Sequence, residues 1–212
     1  EGIEAAKDAG RQDLAAFNYS NLAANCVLRK EDQKTIEYNQ EAEKLLDLVG
    51  DNFSKSRVLI KIGNTYKEIV NRAPDKAQAS RRVALAGVAY KKAIDIFMAQ
   101  KNSRGLTYAL GYMAELYEMD GRMGEARELA GDAIKVARSV DNTSDALYRW
   151  QWMIGRMDWD EKKIEKAIQG YEDAILTIQG VKQDLATVYG SIHSHQSFRE
   201  KVGRIYYEYA NL

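Results

Sequence analysis

Proline is almost missing from this chain: Pro74 is the single one in 212 residues. Strands, turns and long loops tolerate proline and helix interiors do not, so a chain this poor in it is expected to be almost wholly helical. Cysteine is equally scarce, with Cys26 alone. That excludes a disulfide framework and any zinc site built from cysteines, and it fits a reducing compartment, so a cytoplasmic location is expected. Neither sign of charge dominates, because 31 Lys and Arg stand against 31 Asp and Glu. Proteins that work on phosphate backbones or acidic lipid carry a basic excess, so neither nucleic acid nor a membrane surface is an expected partner. Arg81-Arg82 is too short a basic cluster to alter that, and no Gly-rich phosphate cradle is present. No apolar run approaches the roughly 18 residues of a membrane span. No signal peptide precedes Glu1, and the missing initiator Met suggests an excised piece or a processed chain.

What is present is a repeat. Small residues sit at Ala23, Gly63, Ala114 and Gly155, each behind an apolar residue (Leu22, Ile62, Met113, Ile154). A second small column falls at Ala42, Ala93, Ala133 and Ala174. The columns are 19 residues apart in three units and 30 in the unit of Gly63, which therefore carries an insert of 11 residues. The period is otherwise 40 or 41. Each unit reads as two amphipathic helices. In the third, Leu110, Met113, Ala114 and Tyr117 follow i, i+3, i+4, i+7 spacing, and the stripe resumes after Asp120-Gly121 at Ala126, Leu129, Ala130, Ala133 and Ile134. Small side chains at the crossing let two backbones approach closely.

The punctuation repeats with the pattern. Asn52, Asn102 and Asn142 stand just ahead of Ser54, Ser103 and Thr143, the hydroxyl residues expected to accept hydrogen bonds from the first free N–H groups of a new helix. The insert lies around Arg72-Ala73-Pro74-Asp75. Its length makes about three helical turns, so it is expected to lengthen the flanking helices in phase, with Pro74 opening the longer second helix. Gly2-Ile3 aligns with Ala93-Ile94, and Phe17 with Tyr108, both at a distance of 91, so the chain is expected to begin inside a repeat. Helices are predicted near 3–9, 12–29, 32–48, 54–72, 75–99, 104–119, 122–139, 144–158, 161–181 and 196–210. The expected division is a repeat domain over 1–190, with its insert near 70–82, and a linker and capping helix over 191–212.

The segment Leu110-Gly111-Tyr112-Met113-Ala114-Glu115-Leu116-Tyr117 with Gly121, Ala126, Ala130 and Ala133 resembles a tetratricopeptide repeat. Ile154-Gly155 with Ala167, Tyr171 and Ala174 resembles another, and Ile62-Gly63, Tyr66, Tyr90 and Ala93 supply a third around the insert. The resemblance covers nearly the whole chain and implies an all-α fold, an α-solenoid of about four antiparallel helical hairpins closed by a C-terminal capping helix. Departures are Cys26 and Asp158 in the column of Tyr66 and Tyr117, Thr35 and Asn39 at positions usually small and aromatic, and no proline closing any unit. A narrower resemblance falls at the end. Ala146 through Trp152, Ala167-Ile168-Gln169-Gly170-Tyr171, Ile178 through Leu185, and Gln196 through Val202 with Tyr206 resemble the repeats that precede the caspase-like CHAT peptidase domain in bacterial proteins. That resemblance implies a peptidase domain following Leu212 in the parent protein, although Ser191 through His195 departs from its pattern.

The tetratricopeptide resemblance also implies that the first helix of each hairpin lines a concave groove for a peptide or a partner helix. Carried over by residue, it implies groove contacts from Arg57, Tyr108 and Arg149 in one row, and Ile60, Gly111 and Trp152 in the next. Asn64, Glu115 and Arg156 make a third row, and Lys67, Glu118 and Trp159 a fourth. Arg149, Trp152 and Arg156 share one helix face, where two guanidinium groups flanking an indole would hold a carboxylate. The competing reading packs Trp152 under a neighbouring repeat and pairs both arginines with glutamates in solvent. His193 and His195 are the only histidines, and a metal would need Asp184 or Glu200 as a third ligand, so a solvated linker is expected there. Cys26 has no histidine in its own repeat to serve as a base and is expected to be a buried core thiol.

The expected function is therefore a non-enzymatic scaffold, with no cofactor and no metal, that binds a protein or peptide in its groove, as the regulatory or sensor region of a larger peptidase. The alternative is a structural spacer or self-association module, a homo-oligomer formed through exposed repeat ends. An enzyme is third, and would need activity from these residues alone.

Overall fold

The computed structural model describes the backbone of residues 2–141, 143–188 and 195–212, and the side chains of that set outside 181–201. Among the described residues there is no strand. Ten α-helices follow one another among them: α1 (Gly2–Asp8), α2 (Gln12–Leu28), α3 (Asp32–Leu46), α4 (Phe53–Glu68), α5 (Lys76–Ala99), α6 (Ser103–Met119), α7 (Met123–Arg138), α8 (Ser144–Asp160), α9 (Ile164–Val188) and α10 (His195–Tyr209). The chain forms two compact units, Glu1–Arg122 and Met123–Leu212. In the first, α2 pairs with α3 and α4 with α5, while α4 lies beside α2 and α6. In the second, α8 pairs with α9, α7 packs on α8, and α10 packs on α9.

The small columns are where the helices meet. Ala23, Ala42, Ala93, Ala114, Ala133 and Ala174 are wholly buried, and Gly63 and Gly155 are buried with them. At Gly170 an added Cβ would lie 2.8 Å from the Cα of Gly155, so α8 and α9 touch backbone to backbone. At Gly63 it would lie 2.4 Å from the Tyr90 ring, which occupies the place a side chain would take. Large side chains fill the remaining space, led by Tyr66, Tyr90, Leu59, Ile62 and Leu116 in the first unit and by Tyr171, Ile178 and Ile205 in the second.

Five helix ends follow one recipe. Behind α1, α2, α5, α6 and α8 a left-handed residue turns the chain, and the next N–H closes a six-residue ring, as in Asn102 N–H to Phe97 O at 2.9 Å and Lys163 N–H to Asp158 O at 2.8 Å. Glycine serves at Gly10 and Gly121, but Lys30, Lys101 and Lys162 hold φ of 60°, 53° and 60°. The helix starts differ from expectation. The acceptors are the asparagines and not the hydroxyl residues after them: Asn52 accepts from Lys55 N–H at 2.8 Å and Asn102 from Gly105 N–H at 2.9 Å. Thr143 instead donates its hydroxyl to the Ala137 carbonyl at 2.6 Å, and its side chain accepts no cap bond from α8. Asn142 lies outside the described residues.

The insert is shared between a 3-10 turn at Val70–Arg72 and extra turns of α5, which has 24 residues against 15 in α3. Pro74 does not open α5. Asp75 caps it, accepting from Gln78 N–H at 2.7 Å, and Pro74 holds Ala73 extended ahead of the cap. Asp32 at the start of α3 fastens the insert: Arg72 reaches one carboxylate oxygen at 2.7 Å and Arg82, 6% exposed, the other at 3.1 Å. The expected helix at 161–181 is longer as observed, Ile164–Val188.

Residues that break the repeat pattern find polar partners. Buried Asn39 donates to the Thr65 hydroxyl at 2.8 Å, which donates in turn to the Ile62 carbonyl at 2.8 Å. Asp158, in a tyrosine column, is 4% exposed and bonded by Arg127 at 2.8 Å. Cys26 is buried, and that burial pushes its thiol pKa up and keeps it protonated.

Two stability experiments follow. Gly170→Ala is expected to cost about 1–3 kcal/mol by forcing two backbones apart, whereas Gly131→Ala, with no atom within 4 Å of the new methyl, should gain about 0.5–1 kcal/mol in a helix interior. Replacing Lys30, Lys101 or Lys162 by glycine should each stabilise by about 0.5–1 kcal/mol, since the left-handed conformation is penalised for lysine and not for glycine. Urea unfolding followed by circular dichroism measures both.

Candidate functional site

In the first unit, α2, α4 and α6 lie side by side and leave two clefts. The cleft between α4 and α6, about 540 Å³, is lined by Phe53, Arg57, Ile60, Phe97, Arg104 and Tyr108 among others. Phe97 enters it because Gly105 has no side chain: a Cβ there would stand 2.3 Å from the ring. Phe53 meets Phe97 edge-on at 6.4 Å, and the guanidinium groups of Arg57 and Arg104 lie 5.6 and 5.7 Å from the rings of Phe53 and Tyr108. The cleft between α2 and α4, about 500 Å³, takes in Leu14, Phe17, Arg57, Ile60, Lys61 and Asn64. Arg57 and Ile60 line both, so the two clefts join along α4.

Lys61 donates to the Asn21 side-chain carbonyl and lies 5.3 Å from the centre of the Phe17 ring. Burial pulls its pKa below the ordinary lysine value. Lys67 is nearly buried, ion-paired with Glu115 and stacked on Tyr112 at 5.2 Å, so these two expected groove residues neutralise each other. Asn64 accepts from the Tyr90 hydroxyl at 2.7 Å.

The second unit holds Arg149, Trp152 and Arg156 on α8. The structure places them differently from a pair of arginines around one indole. Arg149 lies over Trp150 at 4.9 Å, and Trp152 is flanked by Arg156 at 4.9 Å and by Arg204 of α10 at 5.5 Å. A carboxylate is present, and it belongs to the chain itself. Glu208 accepts from Trp152 Nε1 at 2.7 Å, from the Tyr171 hydroxyl at 2.9 Å and from Arg204 Nε at 2.7 Å. Burial raises the Glu208 pKa, but the Arg204, Trp152 and Tyr171 donors outweigh that and hold it below the ordinary glutamate value. Tyr209 adds a hydrogen bond to Glu172 at 2.9 Å and stacks on Tyr171.

Several members of these sites escaped the sequence. Lys61 sits one residue past Ile60 and belongs to none of the four rows that pass through Arg57, Ile60, Asn64 and Lys67, although its four-residue spacing from Arg57 keeps it on the same side of the helix. Phe17, aligned with Tyr108 by the repeat, was a usable signal. Glu208 had none, since its role depends on where α10 docks. No group of three or more His, Cys, Asp or Glu among the described residues could hold a metal. His193 and the side chains of His195, Asp184 and Glu200 lie outside them. No helix among the described residues is long and apolar enough to cross a membrane.

No protein-family model matches the chain, and no curated protein sequence matches it. Solved structures do. BtubC (BKLC) from P. vanneervenii superposes with a TM-score of 0.65 at 13% identity, over 99% of this chain and 80% of that one. A Podosopora anserina protein described as a kinesin light chain with nearly identical TPR-like repeats gives a TM-score of 0.56 at 15% identity, over 89% of this chain and 84% of that one. The chain thus has a tetratricopeptide-type helical repeat fold, all-α and of the solenoid class.

The Glu208 cluster makes α10 docking acid-sensitive. A carboxylate with a lowered folded pKa contributes fully above its unfolded pKa and loses that contribution as pH falls through the folded value. Tryptophan emission is therefore expected to stay constant on acidification to about pH 4.5 and to shift to the red below it. In Glu208→Gln the shifted emission should already be present at neutral pH, and Trp152→Phe should remove the transition.

Proposed function

We propose that this chain is a non-enzymatic scaffold that binds another protein, with the α2, α4 and α6 face as the binding groove. The observation that carries the reading is the joined pair of clefts. They form a trough floored by Ile60 and walled by Phe17, Phe53 and Tyr108, with Arg57 shared between the two halves. Aromatic rings and arginine on a rigid helical surface provide binding energy at little entropic cost. Of the expected contacts, Arg57, Ile60, Asn64 and Tyr108 line these clefts. Arg149, Trp152 and Arg156 form a second surface, on which Glu208 fills the place of a bound acid. The sequence resemblance around Ala146 through Trp152 supports the finer reading that the scaffold is the regulatory region of a caspase-like peptidase in a bacterial cytoplasm.

Self-association through α10 is the second reading. It is favoured by Gly203, where a Cβ would meet no described atom within 4 Å, and by Tyr207, 73% exposed on the same helix.

Peptides selected from a random display library against the chain test the groove. Phe17→Ser, at a position 43% exposed, is expected to weaken the selected peptides about tenfold and leave the thermal midpoint nearly unchanged. Selected peptides indifferent to Phe17→Ser and to Tyr108→Ser would remove the groove reading. Mass by light scattering tests the alternative: a dimer lost on Tyr207→Ser would favour self-association.

A further inference from the structure

Lys61 stands half-buried in the cleft of about 500 Å³ between α2 and α4. Its ammonium donates to the Asn21 side-chain carbonyl and lies 5.3 Å from the centre of the Phe17 ring. No carboxylate pairs with it among the described residues. Other lysines of the same unit have one: Lys55 pairs with Asp51, Lys67 with Glu115, Lys91 with Asp95 and Lys92 with Asp47. The charged groups that line the cleft with Lys61 are Arg11, Asp13 and Arg57, and Arg11 holds Asp13 at 3.0 Å.

A lysine is a nucleophile only after losing its proton, and an ordinary one is neutral in roughly one molecule in 2,500 at pH 7. Desolvation without a compensating carboxylate favours the neutral amine and pulls the Lys61 pKa below that ordinary value. Activation of lysines by desolvation works in this way. The acylated product also suits the site. An amide keeps one N–H for the Asn21 oxygen, carries no charge to desolvate, and sets a short acyl chain beside Phe17 and Leu14. Arg57, one turn earlier on α4 and lining the same cleft, offers a guanidinium to a phosphate on the departing group.

We infer that Lys61 is an acylation site whose substrate is a short acyl group activated on a phosphate-bearing leaving group, either an acyl phosphate or the thioester of a phosphorylated carrier. The neutral amine attacks the acyl carbon and a C–N bond forms. The bond from that carbon to the phosphate oxygen or the thiol sulfur breaks, its electron pair leaves with that atom, and the amine's proton follows it. The inference stands apart from the groove reading, because it requires the amine and the cleft but no bound protein.

The test incubates the full chain at neutral pH with acetyl phosphate and, separately, with acetyl-coenzyme A, and follows each lysine by peptide mass spectrometry. Lys61 is expected to acetylate about tenfold faster than the exposed Lys76 and Lys162, and the donor that achieves this identifies the source of the acyl group. Equal rates at the three lysines with both donors would overturn the assignment, a comparison that needs no variant. Asn21→Asp supplies the missing carboxylate and should slow Lys61 about tenfold while leaving Lys76 and Lys162 unchanged. Thermal unfolding checks that this variant folds, and an undiminished Lys61 rate in it would remove the activated amine. Arg57→Gln should slow the phosphate-bearing donors and spare an uncharged N-hydroxysuccinimide ester. Unaltered rates with the phosphate-bearing donors would overturn the choice of leaving group.

Discussion

The contact on which the rest depends is the close approach of paired helices at positions without side chains. At Gly155 and Gly170 the two backbones are so near that one methyl group could not fit between them, and at Gly63 the Tyr90 ring fills the space a side chain would take. Close-packed interiors transmit such distances, because a helix axis moves as a rigid body. The spacing within a hairpin therefore sets which residues of its first helix remain outside. On α4 those are Arg57, Ile60, Lys61 and Asn64, and they become the floor of the trough.

The repeat tolerates exceptions because it supplies each with a partner. Asn39 would be costly in an apolar core, yet it meets Thr65 across the hairpin boundary. Asp158 replaces an aromatic residue and is held by Arg127. The insert, which interrupts the period, is fastened by Arg72 and Arg82 to Asp32, with Arg82 also donating to the Ile69 carbonyl. Such pairs contribute little net stability against an apolar replacement, but losing one partner leaves a buried charge. They act as register pins that keep a hairpin with extra residues in phase with those around it.

The two units use the same materials to opposite ends. In the second unit an indole, a tyrosine hydroxyl and an arginine converge on Glu208 of α10, so an acid supplied by the chain satisfies them. In the first unit the Lys61 and Arg57 side chains contact an amide oxygen and aromatic rings. The charge patterns look alike in sequence, since α4 and α8 each carry both basic and aromatic residues. What separates them is whether another element of the chain arrives to answer the charge.

The small-residue columns, the helical periodicity and the near absence of proline determined the class of fold, because those features act through local geometry and recur with the period. The helix caps were legible only in part. Asn and Ser are both good caps, and the choice between Asn52 and Ser54 depends on the backbone angle with which the preceding turn delivers the chain. The site was legible as far as the helix that carries it: Arg57, Asn64 and Tyr108 follow from counting along the repeat. Lys67 and Glu115, 48 residues apart, cancel each other, and Glu208 closes on Trp152 from 56 residues away. Burial, partner and charge balance belong to the packed unit and arise from contacts that no local spacing encodes. Sequence by itself determined which residues line up on a helix, since that depends on neighbours three and four positions along; only the tertiary structure decided which of them are answered from within the chain and which stay open to a partner.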